Sequence, residues 1–282
     1  MFEPATKNIY ERILLQNFTN REVYVVTPND TLAYARKIMF RNNISKLVVI
    51  EGEKIFGIIS LRDIANILTK LGSEIERSLD EILVKNVATQ NVITLDVNRN
   101  VREACKLMHD KKIGSILITK EEKLAGIFTP TDACKVYSEN PIPELKVKDV
   151  MNKDFEKINK ISSIKKIIEK FKGGIDVLIV EDNKKPIGVI TLSSIAYLEE
   201  DEFLKGNLKY IRGTSEHTKV RVDKTAADIM YAIDIAINET DSVSKAVNYL
   251  LTYGIPALPV INEFGEIVGL ISKRDIVALI AK

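Results

Sequence analysis

The chain has 282 residues, of which 45% are hydrophobic, and its 41 basic and 39 acidic side chains leave a formal net charge of only +2. This length is enough for two domains of ordinary size. The near balance of charge argues against nucleic acid or an anionic membrane as the main partner. The apolar runs are much too short to span a bilayer, and the first stretch, MFEPATKNIYERILLQ, lacks the apolar core of a signal peptide. We therefore expect a soluble, cytoplasmic protein.

Cysteine and histidine are too scarce to predict a metal centre. Cys105 and Cys134 lie far apart in the sequence and form no C-x-x-C pair, and both fall in helical patterns, where a free cysteine usually behaves as a small buried apolar residue. His109 and His217 are isolated. The sequence thus predicts neither a disulfide framework nor a transition-metal site.

The first structural unit of the chain is predicted from its apolar spacing. An extended stretch ends at Pro28, and in the helix that follows Leu32, Ala35, Ile38 and Met39 recur at three- and four-residue spacing. Two short buried strands, KLVVI and IFGIIS, are joined by the polar turn EGEK. A second helix, LRDIANIL, completes the unit. The predicted order is β-α-β-β-α.

The same order returns three more times, so the chain is a repeat protein. The second unit, for example, reads VITLDV, VREACKLM, SILIT, LAGIFT and TDACKVY. A unit of about 55 residues has apolar helix faces that it cannot bury alone, and pairing with a neighbour is the expected remedy. The predicted fold is therefore α/β (α+β), with four β-α-β-β-α repeats arranged as two pseudo-symmetric pairs.

The boundary between the pairs is expected near Pro141–Asp149, where two prolines interrupt the periodicity. We place the repeats at residues 21–70, 85–140, 145–200 and 225–282, after an N-terminal segment of residues 1–20, so that the pairs cover 1–140 and 145–282. The charged stretch Glu199–Lys224 is longer than the corresponding linkers. A solvated connection is the simpler interpretation, and a contact surface for a partner or a second copy is the alternative.

Each unit has one junction where its last strand meets its second helix. The four junctions are GIISLRD (Gly57–Asp63), GIFTPTD (Gly126–Asp132), GVITLSS (Gly188–Ser194) and GLISKRD (Gly269–Asp275). A serine or threonine followed three residues later by an acid is the usual capping pattern at a helix N-terminus. Capping alone would explain a single copy. The recurrence at equivalent places leaves ligand binding open as a second role.

The repeated unit has an apolar strand such as ALPVI followed by the motif G-h-h-[ST]-x-x-D, in which h is an apolar residue. This unit closely resembles the cystathionine β-synthase (CBS) domain, and four copies cover nearly the whole chain. The arrangement is similar to that of the regulatory γ subunit of AMP-activated protein kinase and of stand-alone microbial CBS proteins. In that family, adenosine-containing ligands bind in clefts between paired repeats. The resemblance implies a non-catalytic nucleotide sensor that binds AMP, or ADP or ATP, needs no catalytic cofactor and signals to a protein partner.

Carried over to this chain, the motif gives three candidate ribose sites. They are Ser60 with Asp63, Thr129 with Asp132, and Ser272 with Asp275. A carboxylate in the first helical turn can accept both hydrogens of a ribose cis-diol, and the helix N-terminus favours a phosphate. The third repeat keeps Thr191 but has Ser194 in place of the acid, so no nucleotide is expected there.

The family also uses the residues just before each central strand, here named the pre-strand residues, and apolar residues around the adenine. The pre-strand residues are Ser45 and Lys46, Gly114 and Ser115, Ile175 and Asp176, and Pro256 and Ala257. The apolar slot is expected from Ile and Val residues of the flanking strands, Ile58 and Ile127 among them. Val92 and Ile93 are expected beside Asp63, and Val25 with its neighbours beside Asp132. Lys46 is the one cation among the pre-strand residues. We expect it to contact phosphate at Asp132, with a solvated lysine as the alternative. Asp176 would repel phosphate at Asp275 unless Arg274 or Lys273 offsets it.

Two other function classes compete with a nucleotide sensor. An enzyme acting on nucleotides is disfavoured because the sequence has no P-loop, no G-x-S-x-G and no acid pair with a neighbouring histidine. An interaction scaffold with little ligand binding is the other class, since the third repeat has already lost its acid. Within the sensor class, S-adenosylmethionine is the alternative ligand. Members of the family often form homodimers by stacking their pairs, and the sequence leaves open whether this chain does so.

Overall fold

The computed structural model describes residues 9–19, 22–70, 77–199, 208–210, 219–221 and 224–282. His217, the start of the N-terminal segment and most of the stretch Glu199–Lys224 lie outside these residues. The contact-surface hypothesis for that stretch therefore stays a prediction.

The first two repeats have the predicted order of elements. Helix α1 (Ile9–Arg12) and a 3₁₀ turn (Leu15–Phe18) come first, followed in repeat one by β1 (Val25–Val26), α2 (Leu32–Arg41), β2 (Lys46–Glu51), β3 (Lys54–Ser60) and α3 (Leu61–Leu68). After a 3₁₀ turn (Val84–Asn86), repeat two contains β4 (Thr94–Asp96), α4 (Val101–Asp110), β5 (Ile116–Lys120), β6 (Lys123–Phe128) and α5 (Pro130–Glu139).

The last two repeats follow the same order with one difference. After a 3₁₀ turn (Val147–Asp149), repeat three has β7 (Glu156–Asn159), α6 (Ile164–Lys172), β8 (Val177–Asp182), β9 (Lys185–Thr191) and a 3₁₀ helix (Leu192–Tyr197). The elements up to repeat four are β10 (Leu208–Tyr210), β11 (Lys219–Arg221), α7 (Ala226–Ile229) and β12 (Tyr231–Ala232). Repeat four has β13 (Ile237–Asn238), α8 (Val243–Thr252), β14 (Ala257–Ile261), β15 (Ile267–Ser272) and α9 (Lys273–Ala281). The closing α-helix predicted for repeat three is a 3₁₀ helix, and its two serines compete with the backbone for hydrogen bonds.

Each repeat builds a small mixed sheet. In repeat one the order is β1-β2-β3, with β1 parallel and β3 antiparallel to β2, and repeats two and four repeat this pattern. In repeat three β12 adds a fourth strand next to β9. The central strands read as continuous apolar runs because they are buried on both faces, as Leu47, Val48 and Val49 are.

Sister repeats are joined because the first residues of one repeat pack on the other. Ile58 of β3 and Thr89, near the start of repeat two, exchange backbone hydrogen bonds of 3.0 and 2.9 Å. Asn152, near the start of repeat three, does the same with Leu270 of β15, at 2.8 and 2.9 Å. Repeats one and two thus form one pair and repeats three and four the other. The predicted fold class is confirmed.

The two pairs stack on each other through their helices. Helix α9 of repeat four packs against α4 and α5 of repeat two, and α3 of repeat one packs against the 3₁₀ helix of repeat three. Two buried clusters result, one joining repeats two and four and the other joining repeats one and three. The apolar faces that a single repeat leaves open are therefore covered within one chain. Within the described residues, none of the helices is long and apolar enough to cross a membrane.

Candidate functional site

The acids of the three complete motifs cap their helices. Asp63 Oδ2 accepts hydrogen bonds from the Ser60 backbone N–H at 2.8 Å and from Ser60 Oγ at 2.6 Å. Asp132 Oδ2 accepts the same pair from Thr129 at 2.9 and 2.7 Å. Asp275 Oδ2 accepts both from Ser272 at 2.7 Å. The capping interpretation of the motif is correct at all three junctions.

Capping uses one oxygen of each carboxylate in these contacts. Among the described residues, Oδ1 of Asp63 and Oδ1 of Asp275 accept no hydrogen bond. Burial raises the pKa of Asp275, and the hydrogen bonds from Ser272 and the charge of Arg274 partly offset this effect. Asp132 is buried, with 3% of its surface exposed. An acid that caps with one oxygen can still accept a hydroxyl with the other, so the two roles are compatible.

The third junction keeps the cap without the charge. The Thr191 backbone N–H donates to Ser194 Oγ at 3.1 Å, and the two side-chain oxygens lie 3.4 Å apart. Ser194 is 1% exposed. A single neutral hydroxyl in this position cannot accept both hydrogens of a diol with charge assistance.

The sheet register fixes which pre-strand residues are equivalent. Lys46 pairs with the motif hydroxyl residue Ser60, and Val177 pairs with Thr191 in the same way. Asp176 is therefore the equivalent of Ser45 in repeat one, and Ile175 lies one residue earlier. In repeat four Ala257 pairs with Ser272 and is fully buried.

Lys46 crosses from repeat one to repeat two. Its Nζ donates a hydrogen bond to the carbonyl oxygen of Gly114. The corresponding carbonyl in repeat one, that of Ser45, accepts instead from the Leu61 N–H at 2.9 Å. In repeat two the residue at that helix position is Pro130, which has no N–H. The carbonyl of Gly114 is thus available to hold the lysine.

The charges around Lys46 show where its amine lies. Its pKa is lowered to about 8, first by burial and then by Arg274 and Arg62, while Asp63 and Asp132 oppose the shift. Lys46 is therefore not a freely solvated surface lysine. It lies within electrostatic reach of both acids of the first pair and of cations from repeats one and four.

Two arginines at the same motif position meet at Asp176. Arg62, the residue before Asp63, places Nη2 2.9 Å from Asp176 Oδ1. Arg274, the residue before Asp275, places Nη1 2.8 Å from Asp176 Oδ2. The predicted offset of Asp176 by Arg274 is thus present in the geometry, and Arg62 is a second partner that the sequence analysis missed. The shared R-D dipeptide of SLRD and SKRD was the available signal.

A further contact joins repeats four and two. Lys273 Nζ lies 3.2 Å from Thr131 Oγ1, and burial is the main cause that lowers the pKa of Lys273. Thr131 stands where repeats one and four have an arginine. Side chains from repeats one, two, three and four are thus linked near the motif acids.

The other predicted residues divide into two groups. Ile58 is bonded to Thr89, so Val92 and Ile93, which follow in the chain and are partly buried, lie in the segment that packs beside the first junction. Ser115 and Ile127 of repeat two and Pro256 of repeat four are also partly buried near their junctions, and the Pro256 carbonyl accepts from Lys273 N–H at 3.2 Å. Val25 pairs with Val48 in the first sheet and is 48% exposed, and its place in the apolar slot near Asp132 stays a prediction.

A cavity of about 270 Å³ borders Asp275. Its lining includes the apolar side chains of Ile142, Leu145 and Val150 and of Leu279 in α9. Among the described residues, no cluster of three or more His, Cys, Asp and Glu side chains could hold a metal ion. Both cysteines are free and buried.

Comparison with known proteins identifies the family. The CBS domain matches residues 15–70, 84–139, 147–200 and 226–282. The chain belongs to the CBS domain family. The protein MJ1225 of Methanocaldococcus jannaschii is 23% identical over 275 residues, 93% of this chain and 96% of that protein. Its crystal structure, proposed as an archaeal homolog of γ-AMPK, superposes with a TM-score of 0.77 over 95% of this chain and 99% of that one, at 22% identity.

Other matches agree on the CBS fold. A conserved protein from Pyrococcus horikoshii has a TM-score of 0.60 at 17% identity, over 92% of this chain and 96% of that one. The protein MJ1232 of M. jannaschii is 31% identical over 119 residues, but these are 42% of this chain and 37% of that protein. A match to the inosine-5′-monophosphate dehydrogenase of Korarchaeum cryptofilum spans 23% of that enzyme. The full-length likeness is thus to stand-alone CBS proteins, and the enzyme match is partial.

Proposed function

We propose that this protein is a non-catalytic, cytoplasmic regulator that binds adenine nucleotides, AMP in the first place and also ADP or ATP, between its paired CBS repeats. The observation that carries this proposal is the shared geometry of the three acid junctions. Each acid caps a helix through Oδ2, and in Asp63 and Asp275 the other oxygen accepts no hydrogen bond from a described residue.

Each part of the nucleotide has a chemically suitable place in this arrangement. The uncommitted carboxylate oxygens are acceptors for ribose hydroxyls. Lys46, Lys273 and the two arginines supply positive charge for phosphates beside the helix N-termini. Ile58 and the segment of Val92 and Ile93 provide an apolar surface for the base.

A regulator must convert ligand binding into a change that a protein partner detects. A ligand shifts an equilibrium only through different affinities for two states. The contacts among Arg62, Asp176 and Arg274 join the first pair to the second, so a ligand that changes them changes how the pairs are held together. We expect the partner to recognise that change.

Thermal melting with AMP, ADP, ATP, S-adenosylmethionine and GTP tests the proposal, because a ligand that binds only the folded state raises the melting temperature. At a ligand concentration 100-fold above Kd the stabilisation is about 2.7 kcal/mol, which corresponds to a rise of about 5 to 10 °C for a chain of this size. The Asp63→Asn, Asp132→Asn and Asp275→Asn variants should each show a smaller rise with AMP.

Asp228→Asn is the matched control. Asp228 Oδ2 accepts from the Thr225 backbone at 2.7 Å and from Thr225 Oγ1 at 2.9 Å, so it has the same capping geometry outside the four junctions. This variant should lose a helix cap and keep the full AMP-induced rise in melting temperature. A larger rise with S-adenosylmethionine than with any nucleotide would identify the alternative ligand. The absence of a rise with every compound would contradict the sensor and favour the interaction scaffold.

A further inference from the structure

Asp176 holds a position that differs in charge from its counterparts. The equivalent residues are Ser45 in repeat one, Gly114 in repeat two and Pro256 in repeat four, and all three are uncharged. Repeat three is also the repeat whose motif acid is replaced by Ser194. In this repeat a carboxylate is therefore absent from the ribose position and present at the pre-strand position.

The geometry around Asp176 is that of an anion held by two guanidinium groups. Its Oδ1 lies 2.9 Å from Arg62 and its Oδ2 lies 2.8 Å from Arg274. The two arginines come from different pairs and occupy the same position of the motif. A phosphate held between two arginines would present its oxygens to the same N–H groups.

These ion pairs contribute little to folding. The side chain of Asp176 is 49% exposed, and those of Arg62 and Arg274 are 41% and 45% exposed. Exposed ion pairs typically stabilise a protein by about 0 to 1 kcal/mol. Because both arginine side chains are partly exposed, a solute can reach them, and an incoming anion can replace Asp176 on either arginine.

We propose that Asp176 is an internal substitute for a ligand phosphate and competes with nucleotides for Arg62 and Arg274. A nucleotide phosphate must displace the carboxylate to reach either guanidinium, and the freed carboxylate then repels it. Asp176 therefore lowers the affinity for nucleotides in proportion to the charge that they bring near the arginines. It also makes phosphate binding to Arg62 and the Arg62–Asp176 ion pair, which joins the two pairs, mutually exclusive. This inference rests on the proposed nucleotide binding.

Isothermal titration calorimetry of wild type and Asp176→Asn with adenosine, AMP and ADP tests the competition. The variant should bind AMP about tenfold more tightly. In the wild type the phosphate must first break two exposed ion pairs, and in the variant these ion pairs are absent. ADP should gain at least as much as AMP. Adenosine should change by less than about twofold, because it carries no phosphate to compete.

Asp182→Asn is the matched control, because Asp182 forms a 2.6 Å ion pair with Lys160 at the other end of the same strand. Its affinities should equal those of the wild type. In an Arg62→Gln, Arg274→Gln background, Asp176→Asn should no longer improve AMP binding.

The outcomes separate the inference from the function on which it rests. If AMP binds wild type and Asp176→Asn equally well, or if adenosine gains as much as AMP, Asp176 is not a competitor and the sensor proposal stands. If neither protein binds any adenine compound, the sensor proposal fails and the inference fails with it.

Discussion

The two pairs of repeats share one fold and differ in where they carry negative charge. The first pair has both motif acids, Asp63 and Asp132, and a lysine, Lys46, that bonds across the pair. The second pair has one motif acid, Asp275, and an additional carboxylate, Asp176, that holds two arginines. Ser194, which replaces the missing acid, still caps its helix and is buried. A CBS repeat can therefore lose the chemistry of the ribose site while it keeps the architecture of the junction.

The largest difference in stability between the two pairs should come from replacing the glycine that begins a junction. A Cβ atom on Gly57 would lie 2.4 Å from the backbone oxygen of Thr89, whereas one on Gly269 would meet mainly the flexible side chain of Met151, at 2.6 Å from Sδ. We expect Gly57→Ala to lower the free energy of unfolding by about 3 kcal/mol and Gly269→Ala by about 1 kcal/mol. Urea denaturation measures both.

The reason for this asymmetry is that Thr89 belongs to the backbone connection between the sister repeats and cannot move without breaking its hydrogen bonds to Ile58. Met151 can adopt another rotamer, and the backbone oxygen of Asn152, at 3.1 Å, is at a distance that a small shift relieves. The slope of unfolding free energy against urea should stay unchanged in both variants. Equal losses of stability would show that the sister repeats are connected equally rigidly in the first pair and in the second.

The next largest effect should be on the number of bound nucleotides. Replacing Asp132 by Asn removes a charge-assisted acceptor while a capping oxygen remains, and affinity at that site should fall by about 10- to 100-fold. Ser194→Ala should leave the number of bound nucleotides unchanged, because that junction has no acid to lose. Equilibrium dialysis with labelled AMP counts the sites in each protein. A lower count in Ser194→Ala would mean that the third repeat binds ligand through a group other than a carboxylate.

Sequence patterns predicted the repeats and the capping acids because both depend on local periodicity. The order of strands and helices follows from apolar spacing within about ten residues at a time, and the capping boxes from a three-residue interval. The meeting of Arg62 with Asp176 could not be predicted in this way, since it depends on how repeat one stacks against repeat three. The apolar pattern also does not define the first residue of β8. The grouping of Ile175 with Asp176 as the pre-strand residues of repeat three is therefore one residue too early by the register of β8 and β9.

The pH dependence of AMP binding should distinguish the first pair from the second. The pKa of Lys46 is about 8 without ligand, so its ammonium is charged below pH 8 and neutral above it. A phosphate favours the charged form and is itself fully ionised in this range, since its second pKa is about 6. Affinity should therefore fall as the pH rises through 8, by at most about tenfold per pH unit. Titration calorimetry between pH 7 and 9.5 measures this change.

The control for this prediction is Lys46→Met, which should bind AMP more weakly at pH 7 and show a flatter profile. The stability of the ligand-free protein should respond in the opposite sense. Because the folded pKa lies below the ordinary value of 10.5, the unfolded chain binds the extra proton, and the contribution of Lys46 to stability rises between pH 8 and 10.5. A profile that keeps its slope in Lys46→Met would assign the titration to another group.

The smallest effect should be the change in stability when the junction without an acid, that of repeat three, loses its cap. Ser194→Ala removes the acceptor of the Thr191 backbone N–H, and the loss of such a cap typically costs about 1 kcal/mol. Asp228→Ala, at the exposed cap on Thr225, should cost a similar amount, since both side chains accept from a helix N-terminus. Urea denaturation of the two variants tests this equality. A much larger loss for Ser194→Ala would mean that its burial, rather than its cap, explains why a serine stands there. A loss near 1 kcal/mol with an unchanged nucleotide count would separate the capping role of the motif from its binding role.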